Sequence, residues 1–206
     1  MKIITLGIDL AKNVFAVHGI DEFGKAVLVR RQAGASLEDV PGWANRAIGD
    51  LLSHLHALDT RIAEYDAHLR QIAQADARSR RLMQMPGMGP TTASALVATI
   101  GNGRDFKCGR QLAAWLGLVP GQYSSGGKIR LGYITKAGDP YLRTLLILGA
   151  RSVLAAASNK TDRLSRWAMS VQQRRGYGKA LVAVAAKNAR MAWALLAKGE
   201  AFAPLI

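Results

Sequence analysis

The chain has 206 residues, half of them hydrophobic, which is enough for one medium domain or two small ones and excludes wholesale disorder. It carries 28 Lys and Arg against 14 Asp and Glu, a net charge of +14. A positive field of this size attracts polyanions, and nucleic acid is the commonest of them. An anionic membrane surface or a simple solubility charge is the alternative. The single cysteine, Cys108, excludes an intrachain disulfide and favours a reducing cytoplasm.

Neither a signal peptide nor a transmembrane helix is predicted. The apolar stretch at Met1–Leu10 is short and contains Asp9, and the best later runs are interrupted by Arg151 or by Lys187 and Arg190. We therefore expect a cytoplasmic protein with no membrane partner.

Residues 1–36 predict three short strands joined as a meander, because apolar residues alternate and turn residues separate the runs. A sheet this small must pack on something else to be stable. The strands are predicted at Ile3–Asp9, Val14–Gly19 and Ala26–Val29, with a turn at Asp21–Gly24.

Residues 37–80 predict one long helix with an apolar seam. The seam has the three–four spacing of a coiled coil over nearly three heptads, and residues 37–77 carry seven acidic and three basic side chains. Such a seam indicates helix pairing, within the chain or across a homo-oligomer through residues 55–72, and an ordinary amphipathic helix is the alternative. Its members are Leu55, Leu58, Ile62, Tyr65, Leu69 and Ile72.

The positive charge is concentrated after this helix. Residues 78–143 carry ten basic and two acidic residues, and residues 151–198 carry ten basic and one acidic residue. This asymmetry predicts that the C-terminal part contacts nucleic acid. The apolar periodicity there predicts helices at Thr91–Ile100, Gly109–Leu116, Pro140–Ala157, Leu164–Arg174 and Lys179–Lys198.

The stretch from Met85 to Leu96 resembles the helix-hairpin-helix of DNA-binding proteins. Gly87 and Gly89 let the backbone turn tightly and approach a phosphate, and Pro90 begins a helix whose free N–H groups favour an anion. A contact of this kind binds the DNA backbone without reading sequence. A plain helix–helix turn is the alternative.

A second motif combines serines, glycines and cations. Ser124 and Ser125 precede Gly126 and Gly127, and Lys128 follows. A serine on a flexible glycine loop among cations could attack a phosphodiester, whereas the simpler interpretation is a polar loop with phosphate contacts. The cations that we expect to contact phosphates are Arg104, Lys107, Arg110, Lys128, Arg130, Lys136 and Arg143.

Asp9 stands at the end of the first predicted strand, where a carboxylate can bind Mg²⁺ in ribonuclease-H-like nucleases. One carboxylate cannot form a two-metal site, which needs several oxygen ligands. A turn residue is the alternative interpretation.

Taken together and in this order, the motifs resemble the insertion-sequence transposases that have an N-terminal RuvC-like domain and a C-terminal serine-bearing transposase domain, to which the pilin-gene invertases are related. The resemblance covers nearly the whole chain. Its most specific segments are 7–12, 82–89, 106–113, 116–120 and 125–128.

The resemblance implies a fold, a chemistry and partners. Asp9 would be the first of four acidic metal ligands, Ser125 the nucleophile that joins to DNA, and Ser124 the reserve candidate. Members are implied to cut and rejoin DNA with Mg²⁺, some of them guided by a structured RNA from the element. The implied fold is α+β but mostly α, with a truncated RuvC-like fragment (1–36), a coiled-coil helix (37–80) and a basic helical domain with the helix-hairpin-helix (81–206).

The sequence departs from the family where the remaining acidic ligands should stand. Residues 29–36 lead almost directly into the predicted coiled coil, so most of the RuvC-like domain is missing and a complete acidic set cannot be assigned. An internal deletion explains this, and we expect a DNA-binding transposase with impaired catalysis. The alternatives are a non-catalytic binding module that inhibits a full-length partner, and a remnant whose exposed strands at residues 3–29 aggregate.

Overall fold

The computed structural model describes the backbone of residues 5–11, 14–20, 26–32, 42–200 and 202, and the side chains of residues 45–200 and 202. These fall into two compact units, residues 1–60 and 61–206. The fold is α+β and mostly α, as predicted from the sequence.

The first unit contains the predicted meander. Strands β1 (Thr5–Ala11), β2 (Val14–Ile20) and β3 (Ala26–Gln32) pair antiparallel in sequence order, and Asp9 lies opposite Ala16. The first strand ends two residues later than predicted, and the third continues three residues further. Residues 3 and 4, where the first strand is predicted to begin, lie outside the described residues. The turn predicted at 21–24 lies outside the described residues.

The helix predicted over residues 37–80 is two helices in the structure. Helix α1 runs from Gly42 to Ala75, and α2 from Ala77 to Met83. Between them Asp76 takes an extended conformation, and its carboxylate accepts a hydrogen bond from the backbone N–H of Arg78 at 2.9 Å. An aspartate in this position caps a new helix, which explains the interruption.

The later helices lie within two residues of their predicted bounds. They are α3 (Pro90–Ile100), α4 (Gly109–Trp115), α5 (Pro140–Ala157), α6 (Arg163–Arg175) and α7 (Tyr177–Lys198). The structure adds a small hairpin of strands β4 (Pro120–Gln122) and β5 (Leu131–Ile134), which the sequence analysis did not predict.

Helix α7 is the centre of the second unit's core. It packs against α2, α4, α5 and α6, and its buried side chains are mainly alanine, valine and leucine. In the described part of the chain it is the one helix long and apolar enough to cross a bilayer. However, four helices pack against α7 and its Asn188 is fully buried, as expected of a helix in a protein core.

The start of α6 yields a prediction about stability and pH. The Asp162 carboxylate accepts hydrogen bonds from the Ser165 hydroxyl at 2.6 Å and from the N–H groups of Leu164 and Ser165 at 3.0 and 3.1 Å. The Ser165 hydroxyl contributes most to lowering the pKa of Asp162. We expect Asp162→Ala to lower the free energy of unfolding by about 1 kcal/mol at neutral pH.

The depressed pKa fixes the sign of the pH dependence. The capping contribution is fully present above the ordinary carboxyl pKa and is lost as the pH falls through the folded value. Urea unfolding of Asp162→Ala and the wild type should therefore converge in acid. Ser165→Ala, which keeps the carboxylate and both backbone bonds, should be less destabilising at pH 7. A difference that widens on acidification would contradict this account.

Candidate nucleic-acid interface

Helices α2 and α3 are joined by a short turn where the sequence predicts a helix-hairpin-helix. The turn is tight, with the N–H of Met88 bound to the Met85 carbonyl at 3.1 Å, and Gly89 is the N-cap of α3 without any capping side chain. Gly89 is exposed, and the space where a Cβ would stand is open. A phosphate can therefore approach this backbone closely, next to the free N–H groups that begin α3.

Gly87 has a different environment from Gly89. Its φ is +77°, and a Cβ there would lie 2.4 Å from the carbonyl oxygen of Gly149 on α5. The glycine predicted to contact DNA therefore allows two backbones of the protein to pack together. A second contact joins this turn to α7, because the side-chain amide of Asn188 donates a hydrogen bond to the Pro86 carbonyl at 3.1 Å.

The serine motif forms a two-residue hairpin turn. Gly126 and Gly127 both have positive φ, +56° and +74°, and the N–H of Lys128 donates to the Ser125 carbonyl at 3.0 Å. Positive φ at both central residues is the geometry of a type I′ turn, which matches the twist of paired strands. The sequence analysis predicted a glycine loop at this position, and in the structure that loop is the turn of a hairpin.

The hairpin places serine and cations on one face. Ser125 pairs directly with Lys128, and the N–H of Tyr123 bonds to the Arg130 carbonyl at 2.9 Å in the same register. Directly opposed residues of an antiparallel pair project to the same side. Ser125, Lys128, Tyr123 and Arg130 therefore share a face, which we call the serine face. All four are exposed.

The two serines differ in their hydrogen bonds. The Ser124 hydroxyl oxygen accepts from the N–H of Arg130 at 3.1 Å and from the amide nitrogen of Gln122 at 2.9 Å. Within the described part of the chain, the Ser125 hydroxyl has no hydrogen-bond partner. Ser125 is therefore the serine whose hydroxyl is available to an incoming group.

Six of the seven cations predicted to contact phosphates are exposed, and none of the seven forms an ion pair with a described carboxylate. Among residues with described side chains, the ion pairs are Arg78–Asp76 at 3.1 Å and Lys198–Glu200 at 3.9 Å. The predicted phosphate contacts belong to neither pair. The exposed ones are Arg104, Lys107, Arg110, Lys128, Arg130 and Lys136.

The exception is Arg143, which is half-buried. Its Nη1 donates to the carbonyls of Leu116 and Ala137 at 3.1 and 3.0 Å. These bonds connect the end of α4 to the loop before α5. The guanidinium therefore stabilises the fold, and we do not include it in the proposed DNA contacts.

The sequence is similar to those of known transposases. Residues 79–166 match the model of the Transposase IS116/IS110/IS902 family. A probable family 20 transposase of Pseudomonas aeruginosa is 44% identical over 195 residues, which cover 90% of this chain. Residues 79–166 of this chain are a transposase domain of this insertion-sequence family.

Two further relatives agree with this family. The transposase for insertion sequence element IS1111A of Coxiella burnetii is 42% identical over 76% of the chain, and that for IS1328 of Yersinia enterocolitica is 34% identical over 87%. The chain spans 58%, 43% and 54% of the lengths of the Pseudomonas, Coxiella and Yersinia proteins. It therefore corresponds to about half of such a transposase.

The metal site implied by the family resemblance is not formed by the described side chains of this chain. Where side chains are described, no group of three or more His, Cys, Asp or Glu could hold a metal ion. Asp9 lies in β1 opposite Ala16, and its side chain lies outside the described residues. The side chains of residues 45–200 and 202 therefore do not form a two-metal site, which requires several carboxylates.

The predicted coiled-coil seam lies on the exposed surface of α1. Ile62 and Tyr65 are 58% and 62% exposed, and Leu55, Leu58 and Ile72 are also exposed, while Leu69 is half-buried. A row of large apolar side chains at heptad spacing is typical of a helix that pairs with another helix. In this structure the seam is accessible to a partner.

Proposed function

We propose that this chain binds DNA through its second unit. The observation that carries the proposal is the set of six exposed cations without carboxylate partners among the described side chains, two of them on the serine face. Such cations release counterions from DNA when they bind phosphates, which drives association. The names of the relatives support the same conclusion, since transposases act on DNA.

Gly89 and the start of α3 supply the sequence-independent part of this contact. The open backbone at Gly89 lets a phosphate oxygen approach the N–H groups at the start of α3. Arg104, Lys107 and Arg110 follow in the next loop and helix, where they can contact further phosphates. Binding of this kind holds DNA in place without selecting a sequence.

Ser125 is the group we propose for covalent chemistry. Its hydroxyl oxygen would attack phosphorus, so that a bond forms to the serine while the bond to one deoxyribose oxygen breaks. The hydroxyl proton ends on the departing sugar oxygen. Lys128, directly opposite on the serine face, would stabilise the charge on the phosphoryl oxygens.

Catalysis by this chain alone is expected to be weak or absent. The resemblance implies Mg²⁺, but Asp9 is the single ligand that can be assigned to it. The accessible seam on α1 supports a second candidate function, in which the chain pairs through residues 55–72 with itself or with a longer transposase and competes for DNA. A cytoplasmic location and an element-encoded RNA partner belong to the same proposal.

The test of DNA binding is its salt dependence. Fluorescence anisotropy of a labelled duplex should show an affinity that falls steeply as NaCl rises, and Lys128→Ala and Arg130→Ala should each reduce the logarithmic salt slope by about 1. Arg78→Ala is the matched control, because that guanidinium already bonds to Asp76 at 3.1 Å. Equal slopes for all three variants would contradict the assignment of these contacts.

The covalent step has its own test. The chain is mixed with Mg²⁺ and DNA carrying the element's ends, and protein linked to DNA is sought on a denaturing gel. Any adduct should vanish in Ser125→Ala and persist in Ser124→Ala. An adduct that persists in Ser125→Ala would exclude Ser125 as the nucleophile. Salt-sensitive binding without an adduct would favour the non-catalytic candidate.

A further inference from the structure

A large basin lies in the second unit between the β4–β5 hairpin and helices α6 and α7. Its volume is about 1090 Å³, which is at the upper end of ordinary ligand sites. Its walls are aliphatic, with Leu118 and Leu131 on the hairpin side and Val171 and Val182 on the helices. It is distinct from the serine face, since alternation along β5 places Leu131 on the side opposite Arg130.

Two aromatic side chains border this basin. Tyr133 lines the basin from β5 and is 94% exposed. Trp167 lines it from α6, and the Lys187 ammonium lies 4.0 Å from the centre of its ring. Tyr133 is exposed and Trp167 is half-buried. Aromatic rings that are accessible beside an apolar wall are surfaces on which unpaired bases stack.

Four cations line the same basin, and no acidic side chain does. Arg110, Arg175, Lys179 and Arg190 are all exposed, and none forms an ion pair with a described carboxylate. Burial, together with the nearby charges of Arg190 and Arg163, lowers the pKa of Lys187. The basin therefore combines an apolar floor with a strongly positive rim, which suits a partner that has flat apolar groups and regularly spaced anions.

The chemistry of the lining favours one class of partner. Its positive rim is complementary to a polyanion, whereas a second copy of this chain carries a net charge of +14. Ser, Thr, Asn and Gln are absent from the lining, so no neutral side-chain amide or hydroxyl other than that of Tyr133 can bind a ribose 2′-hydroxyl. Deoxyribose is the sugar that fits an apolar wall.

We propose that the basin binds an unpaired stretch of DNA. Bases stack on Tyr133 and Trp167, and the phosphates contact Arg110, Arg175, Lys179 and Arg190. The proposal rests on the proposed function, that the second unit binds DNA, and adds that one surface takes single strands. A duplex cannot use this surface, because its bases are already stacked on each other.

The experiment compares short fluorescein-labelled probes by anisotropy with the full chain. The probes are a single DNA strand, a strand of equal length with abasic sites, an RNA of the same sequence and a duplex. We expect the intact single strand to bind about tenfold more tightly than the abasic strand, which has the same phosphates but no bases. Tyr133→Ala should remove this preference and leave duplex binding unchanged, while Tyr133→Phe should retain it.

Tyr141→Ala is the matched control, because Tyr141 is an exposed tyrosine of α5 that does not line the basin. It should keep the full preference for the intact strand. Equal binding of intact and abasic strands by the wild type would overturn the proposal, and so would tighter binding of the RNA. A change of oligomeric state in Tyr133→Ala without a base preference in the wild type would identify the basin as a protein contact and also overturn it.

The result separates this proposal from the function on which it rests. If salt-sensitive duplex binding persists while the base preference is absent, only the single-strand proposal fails. If neither duplex nor single strand binds, the proposed DNA-binding function fails with it.

Discussion

Gly149→Ala is expected to destabilise the second unit by about 3 kcal/mol, although alanine is the better helix former. A Cβ at Gly149 would stand 2.0 Å from the Gly87 carbonyl oxygen, and one at Gly87 would stand 2.4 Å from the Gly149 carbonyl oxygen. Neither atom belongs to a side chain that can rotate away, so α5 and the α2–α3 turn must separate. Urea unfolding followed by circular dichroism measures the loss.

The matched control is Gly178→Ala in α7, where a Cβ meets nothing within 4 Å. This substitution should be neutral or stabilise by at most about 1 kcal/mol, because alanine loses less backbone entropy than glycine. If Gly→Ala lowers the free energy of unfolding at Gly149 but not at Gly178, the loss comes from the close approach of the two backbones. Equal stabilisation by both would exclude a tight contact between Gly87 and Gly149.

Asn188→Asp is expected to make stability depend on pH in a direction opposite to that of most acidic residues. Asn188 is fully buried and its amide donates to the Pro86 carbonyl at 3.1 Å. A protonated carboxyl can donate the same hydrogen bond, whereas an ionised one would place a buried charge against a carbonyl oxygen. Burial therefore raises the pKa of the introduced carboxyl above its ordinary value of about 4.

The sign of the effect follows from proton binding. Above about pH 4 the unfolded chain loses the proton first, so the free energy of unfolding falls by about 1.4 kcal/mol per pH unit relative to the wild type. The difference should be small near pH 4 and reach about 4 kcal/mol at pH 7, three pH units higher. Asn188→Leu cannot ionise and should show a loss that is constant with pH. A constant loss in Asn188→Asp would contradict the buried hydrogen bond.

The helices of the second unit could be predicted because their apolar periodicity and their end signals agree. Asp139 before Pro140 and Asp162 before Arg163 cap α5 and α6 as such residues usually do. The break at Asp76 was missed because the heptad spacing continues to Ile72 and favours one long helix. The sequence signal for a second helix was Asp76, a favourable N-cap residue that is followed by residues with high helix propensity.

The β4–β5 hairpin was missed although its signal is present in the sequence. Two glycines between short strand-like runs predict a tight hairpin. The sequence analysis instead interpreted this segment as a flexible reactive loop because serines and cations flank the glycines. The difference between Gly87 and Gly89 could not be predicted at all, because Gly149 lies 62 residues beyond Gly87 in the chain. The basin has the same difficulty, since its walls come from four separate segments.

The turn at Gly126 and Gly127 bears on how such chains change once selection for activity is lost. Both glycines occupy positive φ, so the pair is required for the hairpin to close whether or not Ser125 ever reacts. Copies that can no longer rearrange DNA but still need a folded domain would keep the glycines while the serine drifts. Retention of the glycines therefore reports an intact fold, and loss of the serine from such copies is what the catalytic role proposed for Ser125 predicts.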